Sequence, residues 1–332
     1  MDKICITGAT GFLGGYLVRL FSEKGYSVVA FGRNAEKGQA LLSKGIRFVQ
    51  GHLEIEADVD RAVEGCHSVV HAGALSSVWG PYDAFYKANV KGTENVLNAC
   101  HRKGVSRLVF ISSPSIYTGP SDRLNIKEAD VDTANDLNFY IQTKILAEAA
   151  VTGWQKGSFE KVIIRPRGLF GIGDASVIPR LMRANEKFGL PLFNGGQNLV
   201  DITYVENVAH SIWLAVTKPG IDGGIYNISN DEPMAFKEIL ELFLSSIGSK
   251  PRFINMKFKG LFRFISLVEA VFKALHIKRE PLFTRYTLMT LGYSQTLSIE
   301  KAKEELGYKP LYSIKEGIAI YAAWYRENHT KH

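Results

Sequence analysis

Cysteine is scarce: Cys5, Cys66 and Cys100 are the only three in 332 residues, and they are widely scattered. There is no Cys-x-x-Cys and no histidine cluster at ligand spacing, so neither a disulfide framework nor a metal centre is indicated. Such thiol usage suits a reducing compartment, and the cytoplasm is the expected location. Long apolar runs are missing too. No stretch is long and charge-free enough to span a bilayer. The opening Lys3-Ile4-Cys5-Ile6-Thr7-Gly8 lacks the basic-then-apolar order of a signal peptide. The net charge is +7, which favours an anionic ligand or surface. It is not gathered into a Lys/Arg block interleaved with aromatics, so nucleic acid is not an expected partner. No internal repeat is evident, and the length suits one large or two small domains.

What the chain does have is strand–helix alternation. Residues 3–7 read as a buried strand. Gly8-Ala9-Thr10-Gly11-Phe12-Leu13-Gly14-Gly15 follows, and then a helix beginning Tyr16-Leu17-Val18. Glycines between a first strand and a first helix let the backbone turn tightly and approach a diphosphate at the helix N-terminus. Further strands are expected at 25–34, 47–50, 68–71, 107–113 and 161–165. Alternation of this kind implies a doubly wound parallel sheet, a Rossmann-type α/β fold, with ligands beyond the carboxyl ends of the strands.

The second expected strand ends in Gly32-Arg33 with no carboxylate. An acidic residue at that place binds a ribose 2′-hydroxyl, and an arginine accepts a 2′-phosphate. NADP(H) is therefore expected in preference to NAD(H).

After residue 166 the pattern changes. Residues 1–166 with 202–229 are expected to form the dinucleotide-binding domain, and 167–201 with 230–332 a smaller, mainly helical substrate domain. The segment 258–276 places Lys259, Arg263, Ser266, Glu269 and Lys273 on one polar stripe, with a very wide apolar face opposite. A well-buried helix, a lid over an apolar substrate and an interfacial membrane helix all fit that pattern.

Tyr140 and Lys144 stand four apart in Asn138-Phe139-Tyr140-Ile141-Gln142-Thr143-Lys144, a run of helix formers that continues to Ala150. On a helix both lie on one face. An ammonium beside a phenol favours the phenolate, lowering a pKa that starts near ~10. A phenol so tuned exchanges a proton with a carbonyl or alcohol oxygen. Ser113, at the end of the fifth strand, is the preferred donor to that oxygen, with Ser112 and Ser115 as competitors.

The ordered set Thr7–Gly14, His71–Ala74, Asn89–Leu97, Ser112–Tyr117, Tyr140–Lys144 and Arg165–Gly171 resembles the extended short-chain dehydrogenases/reductases. Val78–Asp83, Asn198–Ala209 and Pro281–Tyr286 running into Ser298–Ala302 are similar to the 3β-hydroxysteroid dehydrogenase branch, including bacterial 2-alkyl-3-oxoalkanoate reductases. The resemblance implies that Tyr140 is the general acid in reduction, Lys144 its pKa partner and ribose ligand, and Ser113 the carbonyl-orienting donor. It implies that Gly8, Gly11 and Gly14 hold the diphosphate, with Phe12 and Leu13 giving backbone contacts. Ala72 and Ala74 would pass along the adenosine, and Pro166, Gly168 and Leu169 along the nicotinamide. Thr10, Arg33, Leu53 and Ser112 complete the implied cofactor set, and Asn89 would brace the active-site helix. A homodimer through the helices that follow Asn89 and contain Tyr140 is also implied.

Two departures matter. Nucleotide-sugar epimerases and dehydratases carry Arg-Asp where this chain has Val200-Asp201, which argues for an apolar acyl or steroid-like substrate. His52 replaces an acidic residue near the adenine. The expected activity is the interconversion of a ketone and a secondary alcohol. A nucleotide-sugar epimerase with tightly held NAD, or a non-catalytic cofactor-binding protein, are the rival readings.

Overall fold

The computed structural model describes residues 2–157, 159–174, 177–275, 277 and 279–329. Seven strands form one sheet: β1 (Lys3–Thr7), β2 (Ser27–Gly32), β3 (Ile46–Gln50), β4 (Ser68–His71), β5 (Arg107–Ile111), β6 (Glu160–Pro166) and β7 (Ile225–Ile228). All pair in parallel, in the order β3-β2-β1-β4-β5-β6-β7. The order reverses between β1 and β4, which opens a ligand crevice beyond the carboxyl ends of those two strands.

Helices that cover the sheet include α1 (Phe12–Glu23), α2 (Gly92–Arg102), α3 (Phe139–Thr152) and α4 (Val205–Thr217). Side chains along each strand alternate between two apolar layers. Ile4, Ile6, Val28 and Ala30 pack with Leu17 and Phe21 of α1 and Val208 and Ile212 of α4. Cys5, Val29, Val69 and Leu108 pack with Leu97 of α2 and Ala147 and Val151 of α3. Burial on both faces is why these strands read as unbroken apolar runs. All three cysteines are free and lie in the second layer. Burial pushes their thiols up, Cys66 to about 11, so none is a ready thiolate.

A second sheet has four short strands, in the order Met234–Ala235, Leu199–Val200, Gln295–Leu297, Arg123–Ile126. Around it lie helices that include α5 (Phe258–Ala274), α6 (Arg285–Gly292) and α7 (Ile314–His329). The chain crosses between the two sheets more often than the partition at 166, 202 and 230 implies. Arg123–Ile126 comes from the first span yet pairs with Gln295–Leu297. Thr203–Tyr204 pairs with Leu169–Phe170 outside the main sheet, while β7 returns to its edge beside β6. Ile314, Ile318 and Tyr321 of α7 join the apolar layer that holds Ile4 and Phe21. Strands of two to four residues carry too little periodicity to announce their partners.

Helix α5 is not well buried, and its polar stripe is split: Lys259, Arg263 and Lys273 are exposed, while Glu269 is buried. Ile265 and Glu269 are its buried residues, while Phe264, Leu267 and Val271 are 61%, 64% and 45% exposed. A tertiary ion pair overrides the pattern. The Glu269 carboxylate accepts from the backbone N–H of Arg285 at 2.5 Å and from its Nε at 3.0 Å. That bond holds the Glu269 side of α5 against α6, where Phe258, Phe262 and Ile265 also pack, while Phe264, Leu267 and Val271 face out. His276, at the end of the expected helix, lies outside the described residues. No helix among the described residues is long and apolar enough to cross a membrane.

Candidate active site

The glycine turn is built for close approach. Gly8 has φ +70°, and a Cβ there would lie 2.7 Å from Gly73 Cα. A Cβ on Gly14 would lie 2.1 Å from the Gly8 carbonyl oxygen, and one on Gly11 3.1 Å from it. The turn is anchored sideways. Thr7 Oγ1 accepts from Gly73 N at 3.1 Å and is 2.7 Å from His71 Nδ1. His71 bonds Thr93 Oγ1 through its other nitrogen, and burial pushes the ring down to about 3, so it stays neutral.

From this turn a groove of roughly 500 Å³ runs across the carboxyl ends of the strands. It is lined by Gly8, Thr10, Gly11, Phe12, Leu13, Gly14, Arg33, Leu53, Ala72, Ala74, Ser112, Ser113, Tyr140, Lys144, Pro166 and Leu169. The groove thus gathers every expected site residue except Gly168. Gly168 has φ +58°, and a Cβ on it would meet the Asp201 carbonyl oxygen at 2.7 Å. Its glycine serves chain packing against Asp201 and Ile202 rather than the groove wall. The sequence missed Glu54, Leu75, Ser76 and Ala88, which also line the groove. His52 is not among the lining; its Nδ1 lies 3.5 Å from Glu54, the carboxylate that does reach the wall. These are loop and helix-edge positions with no residue-type signature, so nothing in the sequence pattern singled them out.

The residues fit a bound dinucleotide: a glycine cradle that any Cβ would obstruct, opening onto a buried Ser112 hydroxyl with no partner. At the far end stand Tyr140 and Lys144 on α3. Asn138 caps that helix by accepting from Ile141 N at 2.8 Å. Asn89 braces it, donating to Thr143 Oγ1 at 3.1 Å while holding the Leu75 backbone through both amide atoms.

Burial pushes the Tyr140 phenol up to about 12, against a hydrogen bond from Ser113 that lowers it and a nearby Tyr286 that raises it. The expected lowering by Lys144 is not what this arrangement gives. Lys144 Nζ donates instead to the Ile111 carbonyl at 2.8 Å. Burial pushes the Lys144 ammonium down to about 7, against the pull of Glu148 one turn along. Of the three candidate serines, Ser113 touches Tyr140 and lines the groove. Ser112 lines it with a free hydroxyl, and Ser115 Oγ is 2.9 Å from Ser113 Oγ and faces away from the lining.

Asn138 and Phe139, just before Tyr140 in the chain, line a separate small cavity of about 40 Å³. Val78, Trp79, Phe85, Leu137 and Tyr286 make it mostly apolar, with Glu269 and Lys273 of α5 closing one side. The Asn138 amide nitrogen, which has no partner, lies at its wall.

Sheet order, glycine cradle and the Tyr140–Lys144–Ser113 group together define an extended short-chain dehydrogenase/reductase. The family described as "NAD dependent epimerase/dehydratase family" matches residues 4–229, and the chain belongs to it. It is 35% identical over 324 residues to a 2-alkyl-3-oxoalkanoate reductase of Stenotrophomonas maltophilia, covering 95% of this chain and 97% of that one. It is 31% identical over 326 residues to the mouse sterol-4-alpha-carboxylate 3-dehydrogenase, decarboxylating, covering 95% and 89%. Among solved structures, the UDP-glucose 4-epimerase of Thermotoga maritima with UDP-glucose superposes with a TM-score of 0.77 over 98% of this chain and 99% of its own. At 20% identity that likeness carries the fold alone. The protein is an NAD(P)-dependent oxidoreductase acting between ketone and alcohol.

Proposed function

We propose that the protein interconverts a 3-oxo and a 3-hydroxy group on an apolar acyl or steroid-like substrate, with NADP(H) preferred. The observation that carries this reading is the Tyr140 phenol, kept protonated by burial, beside the Ser113 hydroxyl in a dinucleotide-shaped groove. A bound nicotinamide supplies or accepts the hydride. The chain supplies the rest. Ser113 donates a hydrogen bond to the substrate oxygen and fixes it against the phenol. Tyr140 passes its proton to that oxygen as charge builds there. The phenolate left behind draws the Lys144 ammonium, which needs to leave only the Ile111 carbonyl. Lys144 and the glycine cradle hold the nucleotide, and Arg33 at the exposed end of the groove takes a 2′-phosphate. The apolar wall beside Phe139 would meet the substrate's hydrocarbon, with the cavity of about 40 Å³ there widening by movement of α5 to admit it.

The nucleotide-sugar epimerase reading draws on the fold neighbours. It is disfavoured by Val200, buried in the small sheet where those enzymes carry an arginine, and by the apolar cavity. Tight NAD that survives purification, with heat protection by a UDP-sugar, is the result that would revive it. The deciding experiment for the redox reading is Tyr140→Phe. Turnover of 3-hydroxy acids or ketosteroids falls by on the order of 100-fold or more while dinucleotide binding persists. Wild-type-like turnover in Tyr140→Phe removes the tyrosine from its role.

We also infer peripheral attachment of α5 to an anionic bilayer. Phe264, Leu267 and Val271 face outward, Lys259 and Arg263 flank them, and Leu275 and Leu282 just beyond are 67% and 79% exposed. A homodimer through the outer faces of α2 and α3, where Leu146 is exposed, completes the proposal.

A further inference from the structure

Thr7 closes β1 and His71 closes β4, and the two are register partners at the point where the strand order reverses. Both are buried, as are Asn89, Thr93 and Thr143, and none of these five side chains lines the groove. Their hydrogen bonds can be assigned one hydrogen at a time. Thr93 Oγ1 lies 2.6 Å from the Asn89 carbonyl oxygen, which can only accept, so the hydroxyl hydrogen points there. Toward His71 Nε2, at 3.1 Å, the same oxygen then accepts, and Nε2 carries the proton of the ring. Among the described residues the two ring nitrogens meet hydroxyls and no carboxylate, and the buried ring is neutral. Nδ1 is therefore bare and accepts from the Thr7 hydroxyl at 2.7 Å. Thr7 Oγ1 in turn accepts from Gly73 N at 3.1 Å. Asn89 joins the far half. Its carbonyl takes the Thr93 bond, and its amide nitrogen donates to Thr143 Oγ1 at 3.1 Å, which donates to the Phe139 carbonyl at 2.8 Å.

The two ends of this run are the two halves of the site. Gly73 backs the dinucleotide cradle, since a Cβ on Gly8 would lie 2.7 Å from its Cα. Phe139 and Tyr140 open α3, and the Thr143 hydroxyl is also 3.1 Å from the Tyr140 carbonyl. The bonds thus run from behind the cradle to the helical turn that carries the reacting phenol, with the imidazole as the link across the strand ends. We propose that His71, held as the Nε2–H tautomer, is a positioning residue that fixes Tyr140 relative to the bound nucleotide and transmits a change at either place to the other. It touches neither. It acts because each bond in the run fixes the sense of the next, so no member turns alone. Placement matters at this site: an error of about 1 Å between reacting groups costs on the order of 100-fold in rate. The proposal rests on the ketone–alcohol reading for its rate measurement alone; the tautomer and the nucleotide affinity stand apart from it.

The first measurement needs no altered site. With the histidine rings isotope-labelled, nitrogen NMR of wild type shows one neutral ring protonated at Nε2 and bare at Nδ1, assigned to His71 by its loss in His71→Asn. The second uses Thr93→Val, which cuts the run at a residue outside the groove. Its dissociation constant for the preferred nucleotide rises by about fivefold or more, and Thr93→Ser restores it. Thr7→Val, at the opposite end, lowers kcat at saturating nucleotide on the order of tenfold. His71→Asn keeps an acceptor for Thr7 but does not reach Thr93, so Thr93→Val adds nothing further to it. It also stands in for Thr93→Val should that variant fail to fold. A ring protonated at Nδ1, or a nucleotide affinity that Thr93→Val and His71→Asn leave unchanged, overturns the proposal whatever turnover shows. Losses that simply add in the double variant do the same, because they mark separate packing defects. The expected tautomer and affinity changes, with no turnover of any 3-oxo compound, keep His71 in its place and remove the ketone–alcohol reading instead.

Discussion

The ammonium of Lys144 donates to the carbonyl of Ile111 at 2.8 Å and sits 4.1 Å from the centre of the Phe110 ring. A backbone oxygen and a ring face are weak substitutes for water around a buried charge. Burial accordingly pushes its pKa down from 10.5 to about 7. Between those values the unfolded chain keeps a proton that the folded protein has shed. Stability therefore rises with pH across that window, and the cost of the buried charge is fully present below about pH 7. Denaturant unfolding of wild type and Lys144→Met, without added nucleotide, checks this. Wild type gains on the variant as pH rises from 7 to 10. A difference that stays flat or shrinks shows that Lys144 keeps its proton throughout.

Two adjacent glycines on α1 give a sharp contrast. A Cβ on Gly14 would collide with the Gly8 carbonyl at 2.1 Å, whereas one on Gly15 meets nothing within 4 Å. Gly14→Ala destabilises by about 1–3 kcal/mol and weakens nucleotide binding, because the cradle has to spread. Gly15→Ala stabilises by roughly 0.5–1 kcal/mol, since alanine loses less entropy in a helix. Thermal unfolding of the pair decides it, and equal effects refute the cradle geometry.

Arg33 is exposed at the rim of the groove, opposite in charge to Glu54 on the same wall. Arg33→Ala lowers the NADPH-to-NADH affinity ratio at least about tenfold, through lost contact to the 2′-phosphate. Fluorescence titration with both nucleotides measures it. A wild-type preference for NADH makes Glu54 the reader of the ribose and removes Arg33 from the site.

For α5, sedimentation with phosphatidylserine vesicles is the direct assay. Wild type cosediments at low salt, and Leu267→Glu with Val271→Glu reduces the bound fraction severalfold, while NADPH binding remains. Retention in the supernatant at every lipid concentration ends the membrane reading.

The sheet and the cofactor half of the site were legible because each rests on a local signal. Glycines at a strand–helix turn, β-branched runs and a Tyr–Lys pair on one helix all declare themselves within a few residues. The polarity of the phenol shift was not legible. Spacing puts Lys144 near Tyr140, but only the fold shows that Ile111 takes the ammonium while burial governs the phenol. The same holds for Glu269, whose stripe position suggested solvent until Arg285, 16 residues later, claimed it.

Helix α5 turns Phe264, Leu267 and Val271 outward while Glu269 is fastened inward to Arg285. Any association through this face would therefore belong to the folded protein, and opening the Glu269–Arg285 tether would weaken it.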